Sequence, residues 1–334
     1  MEWAKGYSAQ YYATIVDPVT FRDMERFEVV NGSISHSSDS LRESANIDTL
    51  DFSPDRECWV RIYLIARQEA DIMRVPLFTG LAISPKKNID GVVISYPVEC
   101  YSVLKPCQDM YLPRGWFASR GVSVRSVLME LLKPTPANIT IEGISPLLQE
   151  TIIAENDETN LTMIDKVLNS VGWRLYITGN GEVVVRSKDS EIHATIGLYD
   201  DVMGKTINIE RDWFSCPNVF QATSGKETYT ARDDSIDSML STVNRGREVW
   251  IIENDCKLSD NETVAEYAIR RLKEEQRIST TISYDRRFIP NVYVGDTVKI
   301  HYPAQSLFGT YTIRSQKISL GYNATVSEEV YHDN

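Results

Sequence analysis

The chain is poor in the groups that carry chemistry. It has four histidines, His36, His193, His301 and His332. No two are spaced as an HExxH or similar metal pair, so surface or strand-edge positions are expected for them. Five cysteines (Cys58, Cys100, Cys107, Cys216, Cys256) are scattered and odd in number, with no CxxC. Cys100 and Cys107 lack zinc spacing, and all five are expected as free thiols of a reducing compartment. No basic start followed by an apolar run marks a secretory leader. No stretch reaches the ~18–20 apolar residues of a membrane span, so no stable membrane insertion is expected. The Asn-X-Ser/Thr triplets at Asn31, Asn138, Asn160, Asn261 and Asn323 then say nothing about glycosylation. Internal repeats, heptads and low-complexity tracts are missing too.

Positive charge is also in short supply. Lys and Arg number 35 against 47 Asp and Glu, a net charge of −12. That argues against a general nucleic-acid-binding surface and against sequence-specific nucleic acid binding. It suits a surface past which nucleic acid slides without sticking. The length of 334 residues fits about two or three domains at ~100–200 residues each.

What is there is strand. The segment Asn291–Val330 carries three short β-segments, Thr297–Tyr302, Thr310–Lys317 and Ala324–Val330. Turn residues at Gly295-Asp296, Ser306–Gly309 and Gly321–Asn323 punctuate them. Val298, Ile300 and Tyr302 alternate with Thr297, Lys299 and His301, which predicts an antiparallel meander with one buried face. Such a meander is a platform rather than a pocket.

Residues 1–105 read mostly as strands: Phe27–Ser35, Trp59–Ala66, Arg74–Ile83 with Gly80 as a bulge, and Val92–Glu99 after a turn at Ile89-Asp90-Gly91. Between the first two lies a polar stretch, LRESANIDTLDFS. Periodicity changes after Lys105-Pro106. Val124, Val127, Leu128, Leu131 and Leu132 predict a helix over 124–133, capped by Ser123 and stopped by Pro134. A short strand follows at Ile139–Glu142. A second helix is expected over Leu161–Val171, capped by Thr159 or Asn160 and closed by Gly172. Trp173–Thr178 and Glu182–Arg186 then form a hairpin across Gly179-Asn180-Gly181. Strands return at Thr206–Arg211, Asn218–Gly225 and Glu248–Glu253. A helix is expected over Asn261–Arg277 with a Ser259/Glu262 capping box, and a strand over Thr280–Phe288.

Each candidate for chemistry has a blander reading. The acid pairs Asp200-Asp201, Asp233-Asp234 and Glu328-Glu329 are adjacent in sequence. On a strand such neighbours face opposite sides, which is not the pair across a cleft that a glycosidase needs. Gly179-Asn180-Gly181 lacks GxGxxG and the Lys-Ser/Thr of a P-loop, and it joins two strands. Arg270, Arg271, Lys273 and Arg277 are interleaved with Glu266, Glu274 and Glu275, the pattern of a solvated, salt-bridged helix face. A cysteine nucleophile with a histidine partner has no local signature. The cluster Tyr111, Arg114, Trp116 and Phe117 reads two ways: exposed, it is a partner hot spot; buried, it is core. No catalytic, cofactor-binding or metal-binding residue is assigned, and no cofactor.

Three stretches together resemble the baseplate hub (tail-tip hub) proteins of tailed bacteriophages and related injection machines. They are VNGSISHSSDSLRES (Val30–Ser44) with WVRIYLIARQ and PLFTGLAISP, then DETNLTMIDKVLNSVGWRLYITGNGEVVV (Asp157–Val185), then FIPNVYVGDTVKI with its meander. They are patterns of strands and turns rather than an invariant triad. The resemblance implies a fold that is mainly β with an α+β insertion, two β-barrel domains plus small α+β modules. It places a first barrel at 1–105, an inserted α+β module at 106–190 and a second barrel at 191–334 with an inserted helix near 261–277.

The lack of any paired nucleophile and base or metal-ligand spacing predicts a non-enzymatic protein, and the resemblance implies a structural one that forms a homotrimer. Two similar barrels per subunit would present a pseudo-sixfold ring to the tail tube or distal tail protein ring. The ring would hold the central spike or tip protein, meet the tape-measure protein and surround the DNA channel, in a virion tail assembled in the host cytoplasm. With the barrel ending near Asn334, no attached lysozyme or peptidase domain is expected. A distal tail protein, normally hexameric, is the alternative, and a cell-wall glycosidase a more distant one.

Overall fold

The computed structural model describes residues 1–334 apart from 4, 39–40, 53, 55, 84–85, 92, 188–191, 198–202, 212, 257, 259–261, 277–278, 303–306, 323 and 334. Two compact units make up the chain: 1–207 with 283–330, and 208–282 with 331–334.

The period-two pattern of residues 1–105 builds a closed ring. Its strands are β1 (Ser8–Val16), β2 (Asp23–Ser37), β3 (Glu43–Thr49), β4 (Cys58–Gln68), β5 (Asp71–Ala82) and β7 (Val93–Ser102), with a short β6 (Asn88–Asp90) flanking β7. Hydrogen bonding runs β1-β4-β5-β7-β3-β2 and β2 pairs back to β1, all antiparallel. Closure gives each of these six strands a partner on both sides. Val60, Ile62 and Leu64 of β4 point into the core with Ile34, Ile47 and Phe78. Their neighbour Trp59 points out and belongs to a different core.

Three sequence expectations change here. The polar stretch after residue 40 contains β3, whose buried positions are Glu43, Ala45, Ile47 and Thr49. Gly80 is not the bulge: the register shift lies between Ile62 and Tyr63, opposite Phe78 and Pro76. Gly80 instead meets the next strand so closely that a Cβ would sit 2.1 Å from the Tyr101 carbonyl oxygen. Ile89-Asp90 is strand rather than turn, since Asp90 pairs with Val93 around Gly91.

The helical spacing after Lys105 gives the α+β insertion. In order it contains α1 (Lys105–Asp109), β8 (Phe117–Ala118), α2 (Val124–Leu131), β9 (Ile139–Ile141), β10 (Ile152–Ile153), α3 (Asn160–Ser170), β11 (Trp173–Ile177) and β12 (Val183–Ser187). Both long helices lie where their apolar stripes predict. Thr159 caps α3 by accepting from the Thr162 N–H, and Gly172 follows it at φ 65°. Ser123 precedes α2 but gives no side-chain cap, because its Oγ is bound to Ser145 Oγ at 3.0 Å. Leu128, Leu131, Leu161, Ile164 and Leu168 pack with Trp59 and Val16, so the insertion is cored against the outer wall of the ring. At ~1.5–3 kcal/mol per buried large side chain, this contact is a main stabiliser of the unit.

The remaining strands are β13 (Ile192–Gly197), β14 (Met203–Arg211), β15 (Val219–Ser224), β16 (Glu227–Arg232) and β17 (Trp250–Glu253), then β18 (Ser279–Arg287), β19 (Thr297–Tyr302), β20 (Leu307–Ser319) and β21 (Thr325–Asp333). Two helices, α4 (Thr242–Arg245) and α5 (Val264–Glu275), accompany them. The pairing order is β13-β19-β20-β21-β18-β14, and β20 also pairs with β2. Val298 and Ile300 are buried as the alternation predicts. Leu307–Gly309 is strand rather than turn, paired with Ile300–Tyr302; Ser306 and Asn323 lie outside the described residues. The mainly-β class with an α+β insertion holds.

In the second unit β16-β15-β17 form a three-stranded sheet. Val264, Tyr267, Ala268 and Leu272 on one side of α5 pack on Phe220, Ala222 and Ala231. The cap of α5 is a capping box of Thr263 and Glu266, not Ser259 and Glu262. Ser259, Asn261 and Arg277 lie outside the described residues.

Candidate functional site

The side chains weighed for chemistry do not converge. His36 lies 3.4 Å from Glu43, His193 3.7 Å from Asp296, and His301 against Phe308. Cys58, Cys100, Cys107 and Cys256 carry free thiols. Among the described residues no group of His, Cys, Asp and Glu is placed to hold a metal. No described helix is long and apolar enough to cross a membrane. Asp233 and Asp234 sit in the loop after residue 232, while Asp200 and Asp201 lie outside the described residues. Glu328 and Glu329 face opposite sides: one is buried on Arg286, the other is on the surface beside Arg314. Arg270 and Arg271 pair with Glu262, Glu274 and Glu275, the salt-bridged face expected.

What does converge is a set of buried polar contacts that fasten the insertion and the sheet. The Gly179-Asn180-Gly181 turn, placed by the β11–β12 hairpin, is seated on β5. A Cβ on Gly179 would lie 2.0 Å from the Pro76 carbonyl oxygen. Thr79 Oγ1 donates to Gly179 O at 2.8 Å, and Arg61 Nη2 to Asn180 O at 3.0 Å. Arg61 also reaches Asp23 at 2.7 Å, as does Arg74. Burial pushes the Asp23 carboxyl up, but the Tyr63 hydroxyl and Arg61 outweigh it and hold it below the usual range.

On its other side the same hairpin is clasped by Asp296, in the turn before β19. Asp296 Oδ1 accepts from Arg174 Nη2 at 2.8 Å and Arg186 Nη2 at 3.0 Å. Its Oδ2 accepts from the Tyr293 N–H at 2.8 Å. Tyr176 stacks on Tyr293 at 4.9 Å between ring centres and lies 5.1 Å from the Arg186 guanidinium. Among the described residues buried Arg174 Nε and Nη1 have no hydrogen-bond partner, and the Arg174 guanidinium lies 5.8 Å from the Tyr176 ring centre. The arrangement joins strands; it offers no nucleophile and no base.

A third contact lies within the closing strands. Glu328 Oε1 accepts from Arg286 Nη2 at 2.7 Å and Gln316 Nε2 at 2.6 Å, and Oε2 accepts from Arg286 Nε at 2.9 Å and from the Tyr284 hydroxyl. Both ion-pair partners are buried. Burial raises the Glu328 carboxyl; Arg286 and these hydrogen bonds more than offset it and keep the group below its ordinary value. Burial together with Glu328 raises the Tyr284 hydroxyl well above its own.

Sequence reasoning missed Arg61, Arg174, Arg186 and Arg286. Only a charged residue at an inward position of a strand signals them, as in Trp173-Arg174-Leu175. The aromatic cluster, open to both readings above, divides. Trp116 packs on the core of the insertion. Tyr111 and Phe117 are exposed, as is Arg114.

The sequence matches no known family model and no curated protein. Solved structures do match. The chain is similar over 98% of its length to a tail protein from Neisseria meningitidis, covering 97% of that chain at TM-score 0.68 and 13% identity. Over 97% it is similar to a 43 kDa prophage tail protein from Shewanella oneidensis, covering 98% of it at TM-score 0.69 and 15% identity. A type VI secretion component of E. coli, described as structurally similar to two phage T4 tail proteins, matches 95% of this chain and 76% of its own at TM-score 0.50 and 10% identity. At these identities the likeness is one of fold: the chain has the fold of phage tail proteins.

Proposed function

We propose that the chain is the structural hub protein of a phage tail baseplate. Three copies form a ring that joins the tail tube, or the distal tail protein ring, to the central spike or tip protein. The ring surrounds the DNA channel and meets the tape-measure protein, and the chain itself has no enzymatic activity. Residues 1–105 and 191–334 each contribute a β-barrel, giving six similar faces from three chains, and 106–190 is the module between them.

The observation that carries the reading is the two-way, nearly full-length fold match to tail proteins of two organisms. A match covering 97–98% of both chains leaves little of either outside the shared fold. The buried contacts support it in kind, because they fix elements to one another and present no reacting group. Net charge of −12 suits a wall past which a polyanion moves.

A reconstruction of the assembled particle tests the proposal. Three copies per ring are expected, with 1–105 and 191–334 superposing as barrels. Six copies, or a single barrel per chain, would reject the hub and favour the distal tail protein.

A further inference from the structure

Two exposed patches, each pairing large apolar side chains with charge, lie on different parts of the chain. The first is the ribbon of β8 and β10 in the insertion. Ala118 and Ile152 face the core, so their neighbours Phe117 and Ile153, a direct cross-strand pair, face outward. Both are more than half exposed. Two arginines flank the pair. Arg114 stands at the tip of a tight turn in which the Trp116 N–H bonds to Pro113 O, and Arg120 follows β8. Both are exposed, and neither guanidinium has a hydrogen-bond or ion-pair partner among the described residues. The nearby acids Glu155 and Glu158 are answered by Lys166.

The second patch is a knob in the second unit, Asp233 to Arg245. Its backbone is well held. Asn244 Nδ2 donates to Ile236 O at 2.8 Å and to Ser238 O at 2.9 Å, and the Thr242 N–H to Asp233 O at 2.8 Å. Despite that order, Ile236, Met239 and Val243 are each more than half exposed. Asp234 and Asp237 stand among them, and Arg232 beside them is shared with Glu248 at 2.5 Å.

An ordered loop that shows three large apolar side chains to water marks an interaction surface. Aromatic and arginine side chains together, as on the ribbon, are the composition of binding hot spots. The ribbon's two free guanidinium groups and the knob's exposed Asp237 carboxylate are of opposite sign. Each matches the other.

Resting on the ring reading above, we infer that the ribbon of one copy, Phe117 and Ile153 with Arg114 and Arg120, receives the knob of the next copy, Ile236, Met239 and Val243 with Asp237. A contact between two different patches is head-to-tail, and head-to-tail contacts generate rings when the rotation closes. The occupant is a second copy of this chain.

The test measures the mass of the full chain in solution over a concentration series, with thermal melts and circular dichroism to check folding. All substituted side chains are exposed, so the variants should fold. Arg114→Glu with Arg120→Glu should weaken trimer association roughly tenfold or more, and Asp237→Arg alone should weaken it as well. All three changes in one chain should restore association to near the original. Trimers that withstand both one-sided reversals overturn the interface while leaving the ring reading intact. So does a triple variant no better than the ribbon variant. A folded chain that stays monomeric at every concentration, but whose ribbon variant no longer enters tails, assigns the patch to another tail protein and overturns the inference. A wild-type hexamer overturns the trimeric hub, and the charge reversals then still decide whether these patches meet.

Discussion

Glu43 and Glu328 are both buried on strands of the first unit, yet they are opposites. Glu328 receives hydrogen bonds from Arg286, Tyr284 and Gln316. Among the described residues Glu43 receives none of good geometry on either oxygen, and the His36 imidazole Nδ1 stands 3.4 Å away. Burial alone drives the carboxyl up; at Glu43 it wins over His36, and at Glu328 it loses to Arg286. The difference teaches that in this fold a buried acid can be a fastener or a burden, and that partners decide which.

The largest expected effect breaks the fastener. Arg286→Met keeps most of the volume but leaves Glu328 buried without its cation. A loss of about 3–5 kcal/mol of unfolding free energy is expected at neutral pH, measured at fixed protein concentration because assembly shifts apparent stability. The sign with pH follows from the depressed carboxyl. The wild-type pair contributes above the unfolded carboxylate range and is lost as pH falls through the lower folded value. The penalty of Arg286→Met should therefore shrink in acid. Adding Glu328→Leu should recover much of it. A loss below about 1 kcal/mol would mean that Gln316 and Tyr284 suffice, and the contrast with Glu43 would weaken.

A smaller effect is expected where the fastening is steric. Gly179→Ala places a methyl 2.0 Å from the Pro76 carbonyl oxygen, which is backbone and cannot swing away. The hairpin must lift from β5 and strain its bonds to Thr79 and Arg61, for about 1–3 kcal/mol. Because the same hairpin carries Arg174 and Arg186, the Asp296 clasp should loosen with it. Hydrogen exchange of β11 and β12 should speed up more than that of β4. Equal protection in variant and wild type would show that the clasp holds without the turn.

These contacts also mark where the sequence was legible and where it was not. Leu161, Ile164, Val167 and Leu168 announce α3, and the hairpin after it follows from its two glycines, because local spacing alone decides both. Strand β3 was hidden since half its buried positions are Glu43 and Thr49, so apolar alternation fails there. Gly309 reads as a turn residue, yet it lies in β20 where a Cβ would come within 2.9 Å of the Tyr311 ring. Asp296 was visible as a turn residue, but its partners Arg174 and Arg186 lie 122 and 110 positions away. Tertiary pairing at such separations leaves no periodic trace.

The smallest expected effect concerns the burden. Glu43 has its folded carboxyl raised above the unfolded one, so the folded chain binds the proton more tightly. That contribution is fully present below the ordinary glutamate range and is lost as pH rises through the raised value, the reverse of Glu328. Glu43→Gln replaces a charge that must be kept dry with a neutral amide of the same shape. It should stabilise the chain by about 1 kcal/mol near pH 8 and change nothing near pH 4, where Glu43 is already protonated. Denaturant titrations at the two pH values read this directly. A His36→Phe variant sharpens the result: removing the one nearby group that favours the carboxylate should enlarge the gain from Glu43→Gln at pH 8. If Glu43→Gln instead destabilises the chain at pH 8, the carboxylate at 3.4 Å from His36 is a working ion pair. Glu43 would then belong with Glu328 among the fasteners.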